Sequence, residues 1–431
     1  MYYFIGIKGT GMASLAIMLH DLGHEVLGSD QDKHFFTEDE LVARGIKILP
    51  FDENNIKEEY TVIIGNAFLE DFPEVVKARK LCKCYRYHEF LGELMKDYKT
   101  VAISGSHGKT TTTTLAKTMF SQFVKTGYLI GDGEGFLEKD SEYLCVEADE
   151  FRRHFISYHP EYAIITNIEI DHVDYFKDEI DYFNSYQEFV NNVKEVVFYH
   201  GDDKWCRKLK FNCKAYSFGL NEGNDYYLTN LSNTSSSSSF DFMHDGNLIH
   251  HYELPVVGDH VLIDVLGVIS LGHYMNFDHE RIEKALQNFV GPKRRYVIEE
   301  YKNTIFVDDY AHHPTEVKVT IEASRKRFPD RKIIAIFKPH RASRVQYFAQ
   351  QFKEALMEAD EVYLLDFTSI DDKQDGTDID ITYLAKMIPN SVVLSEDDEG
   401  AKLLAAHKNE CLVFMSSKDI YNIAQRVKEL I

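Results

Sequence analysis

The sequence predicts an α/β protein of three domains: a Rossmann-like domain, a central domain of the phosphate-loop ATPase type, and a C-terminal doubly wound α/β domain. Apolar strands alternate with helical patterns along most of the 431 residues, which is typical of α/β proteins. Glycine-rich turns follow the first strand of two regions, and polar motifs follow other strands, where open α/β sheets bind ligands. The chain is also longer than a typical domain with a single hydrophobic core. The predicted boundaries are 1–97, 98–293 and 294–431.

The composition is that of an ordinary soluble protein, with 44% hydrophobic and 27% charged residues. The net charge of −22 disfavours nucleic acid and anionic membranes as partners, because both would be repelled. No apolar run approaches the roughly 18 residues of a membrane-spanning helix, and the N-terminus lacks the pattern of a secretion signal. Only Cys82 and Cys84 lie close together among six cysteines, which indicates free thiols in a reducing compartment. We therefore expect a cytoplasmic protein, as a monomer or weak homodimer.

The first domain reads as a βαβ unit. Strand 2–5 leads to a Gly6-x-x-Gly9-x-Gly11 turn and a helix at 12–22. The next strands, at 25–27 and 62–64, end at Gly28-Ser29-Asp30 and at Gly65-Asn66. An acidic residue at the end of the second strand is typical of Rossmann nucleotide sites. The alternative, in which the glycines only permit close helix–strand packing, stays open.

The central domain begins with the most informative stretch of the chain, Gly105-Ser-His-Gly-Lys109-Thr110. An apolar strand at 100–103 precedes it and a helical pattern at 111–120 follows. In such a loop, backbone N–H groups and a helix N-terminus bind phosphates, the lysine reaches the terminal phosphate, and the hydroxyl binds Mg²⁺. The loop is shorter than the general pattern, since Ile103 occupies the place of the first glycine. The alternative interpretation is a glycine turn that caps a helix.

Further elements of the central domain are expected as strands at 143–146, 162–165 and 196–198, helices at 182–193, 260–275 and 278–289, and a polar β-like region at 214–254. Within that region, five serines at 235–239 indicate a hairpin tip or loop. The C-terminal domain is expected to contain strands at 304–307, 333–337, 362–365, 392–394 and 412–414, and helices at 315–327, 345–359 and 419–430.

Three polar clusters follow predicted strands: Glu147-Ala-Asp149-Glu150, Asn167 to His172, and Asp308 to Thr315. Carboxylate and imidazole groups there could bind a divalent metal beside a nucleotide. The alternative is that they are solvated loop acids. Two basic clusters, Lys293-Arg294-Arg295 and 338–344, could offset the charge of an anionic substrate.

Seven segments in this order resemble the Mur ligases. They are Gly6–Met12, Gly105–Thr112, Glu147–Glu150, Thr166–His172, Arg294-Arg295, Asp308–Glu316 and Pro339–Arg341. The resemblance covers essentially the whole chain. Asp308–Glu316 is similar to the alanine-adding branch of that family, and Glu150–Phe155 resembles the version found in Firmicutes.

The resemblance implies an ATP-dependent amide ligase of peptidoglycan precursor synthesis. It would join L-alanine to the carboxylate of UDP-N-acetylmuramate, with Mg²⁺, through an acyl phosphate that the alanine amine attacks. The first domain would bind the UDP part of the substrate, the central domain ATP, and the third domain would help to bind the amino acid.

The resemblance also assigns individual residues. ATP-binding positions match Gly105, Ser106, His107, Gly108, Lys109, Thr110, Thr111, His260 and Asp264. Positions for the UDP substrate match Gly6, Gly9, Thr10, Gly11, Ser29, Asp30, Asn66 and His88. Metal-binding positions match Thr110, Glu147 and His172. Positions around the amino acid match Tyr310, His312, His340, Arg341 and Arg344, where Arg341 or Arg344 would pair with the alanine carboxylate. Catalytic positions match Lys109, Glu147, His172, Arg295 and Asp309.

Three departures from the family pattern affect what the resemblance implies. Val261 and Asp264 replace two asparagines that face the adenosine, Ser416-Ser417-Lys418-Asp419 replaces Gly-Ala-Gly-Asp, and the loop after Asp366 differs. Valine makes no side-chain hydrogen bond, and an ionised aspartate only accepts. We therefore expect weak selectivity for adenine.

Alternative functions remain open at this point. A non-catalytic protein that binds UDP-muramate or nucleotide would explain the missing asparagines. A murein peptide ligase or a folate–glutamate ligase would share the fold and the phosphate loop. A dinucleotide-dependent dehydrogenase would explain only residues 1–30.

Overall fold

The computed structural model describes residues 1–234, 236–289, 291, 294–368, 372 and 376–431. The chain forms two compact units, of which the first comprises Met1–Glu169 and Ile180–Val290 and the second Ile170–Glu179 and Gly291–Ile431. The first unit thus includes most of the two regions predicted as separate domains, whose boundaries stay a prediction. Residues 170–179, predicted within the central domain, group with the second unit.

The first sheet has five parallel strands, and the first strand of the chain lies at its centre. Its elements are β1 (Tyr2–Ile5), α1 (Thr10–Asp21), β2 (Val26–Ser29), α2 (Glu38–Ala43), β3 (Lys47–Leu49), a 3₁₀ turn (Glu53–Asn55), β4 (Thr61–Ile64), α3 (Pro73–Leu81), β5 (Lys83–Arg86) and α4 (Tyr87–Met95). The strand order is β3-β2-β1-β4-β5. The order reverses between β1 and β4, which is where Rossmann-like sheets bind ligands.

The second sheet, also in the first unit, has ten strands. Its elements are β6 (Lys99–Ser104), α5 (Lys109–Phe120), β7 (Thr126–Leu129), β8 (Gly135–Phe136), β9 (Tyr143–Glu147), a 3₁₀ segment (Phe151–Ser157), β10 (Tyr162–Ile165), α6 (Glu179–Asn191), β11 (Val196–His200), a 3₁₀ turn (Cys206–Lys208), β12 (Lys214–Gly219), β13 (Tyr226–Asn233), β14 (Ser238–His244), β15 (Asn247–Leu254), α7 (Asp259–Tyr274) and α8 (His279–Leu286). Their order is β15-β14-β13-β12-β11-β10-β6-β9-β7-β8.

Strand β6 lies between β9 and β10, and all three are parallel. Their C-terminal ends therefore share one edge of the sheet, and each leads into a predicted polar motif. Apolar side chains of α5 and α7, including Leu115, Met119 and Leu266, are buried against this sheet. The predicted serine loop lies between β13 and β14, although Ser235 falls outside the described residues.

The second unit has a six-stranded sheet. Its elements are β16 (Val297–Tyr301), β17 (Thr304–Asp309), α9 (Pro314–Arg327), β18 (Ile333–Phe337), α10 (Ala342–Tyr347), α11 (Ala349–Leu356), β19 (Glu361–Leu365), α12 (Thr382–Ala385), β20 (Val392–Leu394), α13 (Asp398–Ala405), β21 (Cys411–Met415) and α14 (Tyr421–Leu430). The order is β16-β17-β21-β18-β19-β20. Strand β16 is antiparallel to β17, and the other described pairs are parallel.

The predicted fold class is confirmed, and each predicted strand and helix has a counterpart. The single helix predicted at 345–359 is wrong: α10 and α11 are separate, because Phe348, with φ −101° and ψ 19°, interrupts the helical backbone between them. Phe348 is buried, so its packing outweighs the continuous helical pattern. None of the helices among the described residues has the length and apolar character needed to cross a bilayer.

Candidate active site

The phosphate loop joins β6 to α5 and depends on two glycines. Gly105 has φ +149°, and a Cβ there would lie 1.9 Å from Thr166 Oγ1. Gly108 caps α5 with φ +83°, and a Cβ there would lie 2.4 Å from Asp264 Oδ1. A side chain at either position would clash, so the loop conformation that presents its N–H groups depends on glycine.

The end of β10 holds the loop in place. Asn167 Oδ1 accepts from the His107 backbone N–H at 3.0 Å, and Asn167 Nδ2 donates to the His107 carbonyl at 3.0 Å. The Ser106 hydroxyl donates to the Glu169 carbonyl at 2.6 Å, and the Glu169 N–H donates to the same hydroxyl. His107 Nε2 lies 3.0 Å from Glu169 Oε2. The predicted second polar cluster thus fixes the loop backbone.

Lys109, at the start of α5, points back across the loop to a buried acid. Its Nζ donates to the Gly105 carbonyl at 2.6 Å and to Glu150 Oε2 at 2.7 Å. Glu150 is 1% exposed, and its other oxygen accepts from the Tyr182 hydroxyl at 3.2 Å. The lysine is therefore preorganised by acceptors on both sides.

The charges of this pair are shifted by burial and by each other. Burial opposes the charge of Lys109, but Glu150, Asp149 and Glu147 outweigh it, so the lysine pKa lies above its ordinary value. Burial raises the pKa of Glu150 to about 7, and Lys109 offsets this only in part. Near neutral pH, Glu150 can consequently gain or lose a proton at little cost.

Two of the three predicted metal-binding residues come together in the first unit. Thr110 Oγ1 lies 3.3 Å from Glu147 Oε1 at the end of β9. Glu147 Oε2 accepts from the Gly131 N–H at 2.8 Å, which orients the carboxylate. Hydroxyl and carboxylate oxygens are ligands that Mg²⁺ prefers, so this donor set fits the ion. The third residue, His172, belongs to the second unit.

The predicted adenosine-binding residues lie on the first two turns of α7. Asp264 is 4% exposed. Its carboxylate lies against Gly108, since a Cβ at Gly108 would be 2.4 Å from Asp264 Oδ1. Val261 is partly buried beside the core, and His260 is exposed. The replacement of an amide by Asp264 thus places a carboxylate directly beside the phosphate loop.

In the first sheet, the glycine turn is packed tightly. A Cβ on Gly6, which has φ +82°, would lie 2.1 Å from the Phe68 ring, and one on Gly11 would lie 2.8 Å from the Tyr87 ring. Gly9 is the N-cap of α1, and Thr10 is its first residue. The close packing that the sequence left open as an alternative is therefore present, and ligand binding by this turn stays a prediction.

Asp30 and Ser29, at the end of β2, differ in their accessibility for a ligand. Asp30 accepts from the Lys8 and Gln31 N–H groups at 2.8 Å each, and burial raises its pKa. Ser29 is fully buried and donates its hydroxyl to Glu74. Ser29 is thus engaged inside the domain through its side chain and also through its carbonyl, which accepts from the Gly6 and Ile7 N–H groups.

Asn66 and His88 converge on a residue that the sequence analysis did not select. The His88 and His154 rings stack with centroids 4.2 Å apart, and Asn66 Nδ2 lies 3.4 Å from His154 Nδ1. Burial lowers the pKa of His88, which favours its neutral form. His154 follows Arg152 and Arg153, both with positive φ, and this left-handed pair bends the chain toward Asn66.

In the second unit, Asp309 is fixed by backbone groups at the end of β17. Its two oxygens accept from the Ala311 and Tyr296 N–H groups at 2.7 and 2.8 Å. Burial raises its pKa to about 6, while Arg295 lowers it and Glu316 raises it. The predicted catalytic residues Arg295 and Asp309 therefore interact electrostatically.

Tyr310 and His312 lie beside this acid. The Arg295 guanidinium is 4.8 Å from the centre of the Tyr310 ring. His312 Nδ1 is 3.0 Å from the Tyr310 carbonyl, and the His312 N–H donates to Glu316 Oε2 at 3.0 Å. The N-cap of α9 is His313, whose ring accepts from the Thr315 N–H.

His340 follows β18 and faces the segment that departs from the family pattern. Its Nδ1 lies 3.1 Å from the Ser417 hydroxyl. The Ser416 hydroxyl accepts from the Lys418 N–H at 3.0 Å, and Arg294 donates to the Ser416 carbonyl at 2.7 Å. Serine hydroxyls thus hold this turn. The remaining departure, after Asp366, falls largely outside the described residues, as does Lys293 of the basic cluster.

Arg341 and Arg344 are each paired with a carboxylate of the 170–179 segment. Arg344 Nε is 2.8 Å from Asp171 Oδ1, and Arg341 contacts Asp174. Burial opposes ionisation of Asp171, but Arg344 and the nearby histidines outweigh it and hold the pKa well below its ordinary value. His172 lies in this segment with φ +51°.

The contacts identify functional candidates that sequence analysis did not assign: Glu150, Asn167, His154, Asp171 and Asp174. Glu150, Asn167 and Asp171 lie within the quoted motifs, so their position beside the phosphate loop or a strand end was a usable signal. His154 lies in the quoted segment Glu150–Phe155, although not beside the phosphate loop or a strand end, and Asp174 carried no signal.

Three family models match the chain in order. They are the Mur ligase family catalytic domain over residues 1–99, the Mur ligase middle domain over 103–272, and the Mur ligase glutamate ligase domain over 293–418. The UDP-N-acetylmuramate–L-alanine ligase of Lacticaseibacillus casei (strain BL23) is 42% identical over 431 residues, covering 100% of this chain and 98% of that protein. The enzyme of the same name from Lactiplantibacillus plantarum is 42% identical over 422 residues, covering 97% and 96%.

Solved structures show the same fold. The UDP-N-acetylmuramate-alanine ligase MurC from Thermotoga maritima has a TM-score of 0.82 at 24% identity, covering 99% of this chain and 98% of its own. A murein peptide ligase from Psychrobacter arcticus has a TM-score of 0.76 at 22% identity, covering 100% and 98%. A MurF ligase from Thermotoga maritima in complex with ADP has a TM-score of 0.66 at 17% identity, covering 96% of each chain. Full-length identity above 40% and three consecutive domain matches agree with the motifs, and the chain therefore belongs to the Mur ligase family.

Proposed function

We propose that this protein is an ATP-dependent ligase that joins L-alanine to the carboxylate of UDP-N-acetylmuramate in peptidoglycan precursor synthesis. The observation that carries the proposal is the full-length match, at 42% identity, to proteins named for that reaction. The phosphate loop, with its two obligatory glycines and preorganised lysine, supplies the nucleotide chemistry the reaction needs.

The chemistry explains why ATP is required. A carboxylate is a poor electrophile, and its conversion to an acyl phosphate provides phosphate as a leaving group for attack by the alanine amine. The protein's contribution is then to position the reactants and to stabilise charge on the transferred phosphoryl group. We assign that electrostatic role to Lys109, since its ammonium group is already directed across the loop.

The partner of Lys109 gives this assignment a physical mechanism. In the structure, Glu150 neutralises the lysine at 2.7 Å. An arriving triphosphate brings negative charge toward Lys109 and would repel the carboxylate. Because the pKa of Glu150 is about 7, the acid can take up a proton at neutral pH, and the lysine then serves the phosphate.

In the first unit, the residues that would hold Mg²⁺ are Thr110 and Glu147. His172, in the second unit, stays a predicted metal ligand. When bound, the ion would offset the charge of the β- and γ-phosphates and orient them for transfer. Within the first unit, the hydrogen bond from Gly131 to Glu147 keeps the carboxylate directed toward Thr110.

Substrate binding is proposed for two further groups of residues. Asp30, Asn66 and His88 follow β2, β4 and β5 of the first sheet and would bind the UDP part. Tyr310, His312, His340 and Arg341, in the second unit, would surround alanine, and Arg295 and Asp309 of the same unit stay predicted catalytic residues. We also propose a cytoplasmic location.

Release of ADP tests the proposal directly. Purified protein with ATP, Mg²⁺ and UDP-N-acetylmuramate should release ADP only when L-alanine is added. A panel of glycine, serine, glutamate and a muropeptide-type tripeptide distinguishes the alternatives. Preference for the tripeptide would indicate a murein peptide ligase, and nucleotide or UDP-muramate binding without turnover would indicate a non-catalytic binding protein.

A further inference from the structure

Two guanidinium–carboxylate pairs fasten residues 170–179 to α10 within the second unit. Arg344 donates from Nε to Asp171 Oδ1 at 2.8 Å and from Nη2 to Asp171 Oδ2 at 3.1 Å. Arg341, the N-cap of α10, contacts Asp174 through its side chain. Its backbone N–H also donates to Asp372 Oδ1 at 2.9 Å. The two pairs lie about one helical turn apart.

The Arg344 pair is the more deeply buried of the two. The Arg344 and Asp171 side chains are 2% and 6% exposed, whereas Arg341 is 17% exposed. The Nη1 group of Arg344 donates to the His340 carbonyl at 3.1 Å, so each of its three nitrogens has an acceptor. A substrate carboxylate that used Arg344 would have to displace Asp171 and leave a buried carboxylate without its partner, which is strongly unfavourable.

Asp171 also sets the backbone of the residue that follows it. Its Oδ1, which accepts from Arg344, also accepts from the His172 N–H at 2.6 Å. His172 has φ +51°, a left-handed conformation that a non-glycine residue adopts only when its surroundings impose it. The next turn depends on it, because the Tyr175 and Phe176 N–H groups donate to the His172 carbonyl at 2.8 and 3.0 Å.

We infer that Arg344 is a positioning residue, which fixes the His172 turn through Asp171 and does not itself contact the alanine carboxylate. This assignment rests on the proposed function for its kinetic consequences. It separates two arginines that sequence analysis treats as equivalent. Replacing each arginine with lysine, which keeps the positive charge, should therefore change a different kinetic constant at each position.

Four variants test the inference: Arg344→Lys, Asp171→Asn, the double variant, and Arg341→Lys. Arg344→Lys and Asp171→Asn should each raise the Mg²⁺ activation constant about tenfold or more, since residues that orient a metal ligand typically contribute 10- to 100-fold. The KM for alanine should change by no more than roughly twofold. Arg341→Lys should instead raise the KM for alanine about tenfold.

A measurement without turnover accompanies the kinetics. Hydrogen exchange of the peptide covering residues 170–179 should accelerate in Arg344→Lys and Asp171→Asn, because the Tyr175 and Phe176 amides lose their ordered acceptor. The effects should not add in the double variant. Arg325→Lys is the matched control, since Arg325 pairs with Asp360 at 3.1 Å in the same unit but is 44% exposed. It should leave both readouts unchanged.

The inference is overturned if Arg344→Lys raises the KM for alanine about tenfold while exchange stays at the wild-type rate. Additive effects in the double variant, or wild-type values in both single variants, would also overturn it. If one single variant does not fold, the other decides. Wild-type protein that releases no ADP refutes only the proposed function, because the exchange measurement does not depend on turnover.

Discussion

Two buried carboxylates, one in each unit, are held in different ways. Glu150 accepts hydrogen bonds from two side chains, those of Lys109 at 2.7 Å and Tyr182 at 3.2 Å. Asp309 is held by two backbone N–H groups at 2.7 and 2.8 Å. Burial raises the pKa of Glu150 to about 7 and that of Asp309 to about 6.

The difference indicates different tasks. Side-chain partners can rotate away, so the Glu150 contact can exchange when a phosphate claims Lys109. Backbone donors stay in place, so Asp309 keeps its position regardless of what binds. We therefore expect the first unit to respond to nucleotide through a movable contact, and the second to provide a fixed frame around Asp309.

The largest effect should come from removing the lysine of the movable contact. Lys109→Ala should lower kcat at least about 100-fold, as expected when a preorganised donor to the transition state is lost. The fold should remain, because Glu150 without the lysine stays protonated near neutral pH. ADP release and a thermal unfolding curve measure the two effects.

Lys125→Ala is a suitable control for this variant. Lys125 directly precedes β7 of the same sheet, is 62% exposed and pairs with the exposed Asp140, so turnover should stay near the wild-type value. Turnover of Lys109→Ala close to that of Lys125→Ala would refute the role of the phosphate loop.

Lys109 and Glu150 also show how much of the site the sequence could predict. Each residue of Gly105–Thr110 has a local physical task, so the motif alone identifies the loop. Glu150 lies 41 positions from Lys109, and Asp171 lies 173 positions from Arg344. Such partners depend on which strand ends meet and on the placement of residues 170–179 in the second unit. Tertiary packing, which local patterns do not encode, decides both.

The pH dependence of stability should separate Glu150 from the rest of the fold. Its pKa is about 7 in the folded protein against 4.5 ordinarily. The folded state then retains a proton that the unfolded chain loses, so stability present at low pH is lost as the pH rises through this window. Relative to Glu150→Gln, the free energy of unfolding of the wild type should fall by roughly 3 kcal/mol between about pH 4 and pH 8, since one pKa unit equals about 1.4 kcal/mol.

Thermal or denaturant unfolding of both proteins across that pH range measures the difference. Asp309→Asn sharpens the comparison, because its difference from wild type should develop at lower pH, between 3.8 and about 6. A difference between wild type and Glu150→Gln that is independent of pH would show that folding does not raise the pKa of Glu150.

The fixed frame of the second unit should select for a small amino acid. L-alanine should be used best, with serine and glycine weaker and glutamate or a tripeptide excluded by size. Glycine should be disfavoured by only about 10-fold in kcat/KM, because a missing methyl group is worth roughly 1–3 kcal/mol. Initial rates of ADP release with each amino acid provide the test, and preference for glutamate would contradict the alanine assignment.

The smallest effect concerns a third buried carboxylate, Asp264, which touches the phosphate loop at Gly108. With Val261 beside it, the first turns of α7 offer no amide that could both donate to and accept from adenine. A site without such paired hydrogen bonds discriminates weakly, so GTP should be used with a kcat/KM within about tenfold of that for ATP. Val261→Asn should restore part of the selectivity, whereas Val257→Asn, at an exposed position outside the helix, should not. The measurement is ADP or GDP release at subsaturating nucleotide. If ATP is preferred by several orders of magnitude and Val261→Asn changes nothing, groups outside α7 read the base, and Asp264 then acts on the loop backbone rather than on adenine.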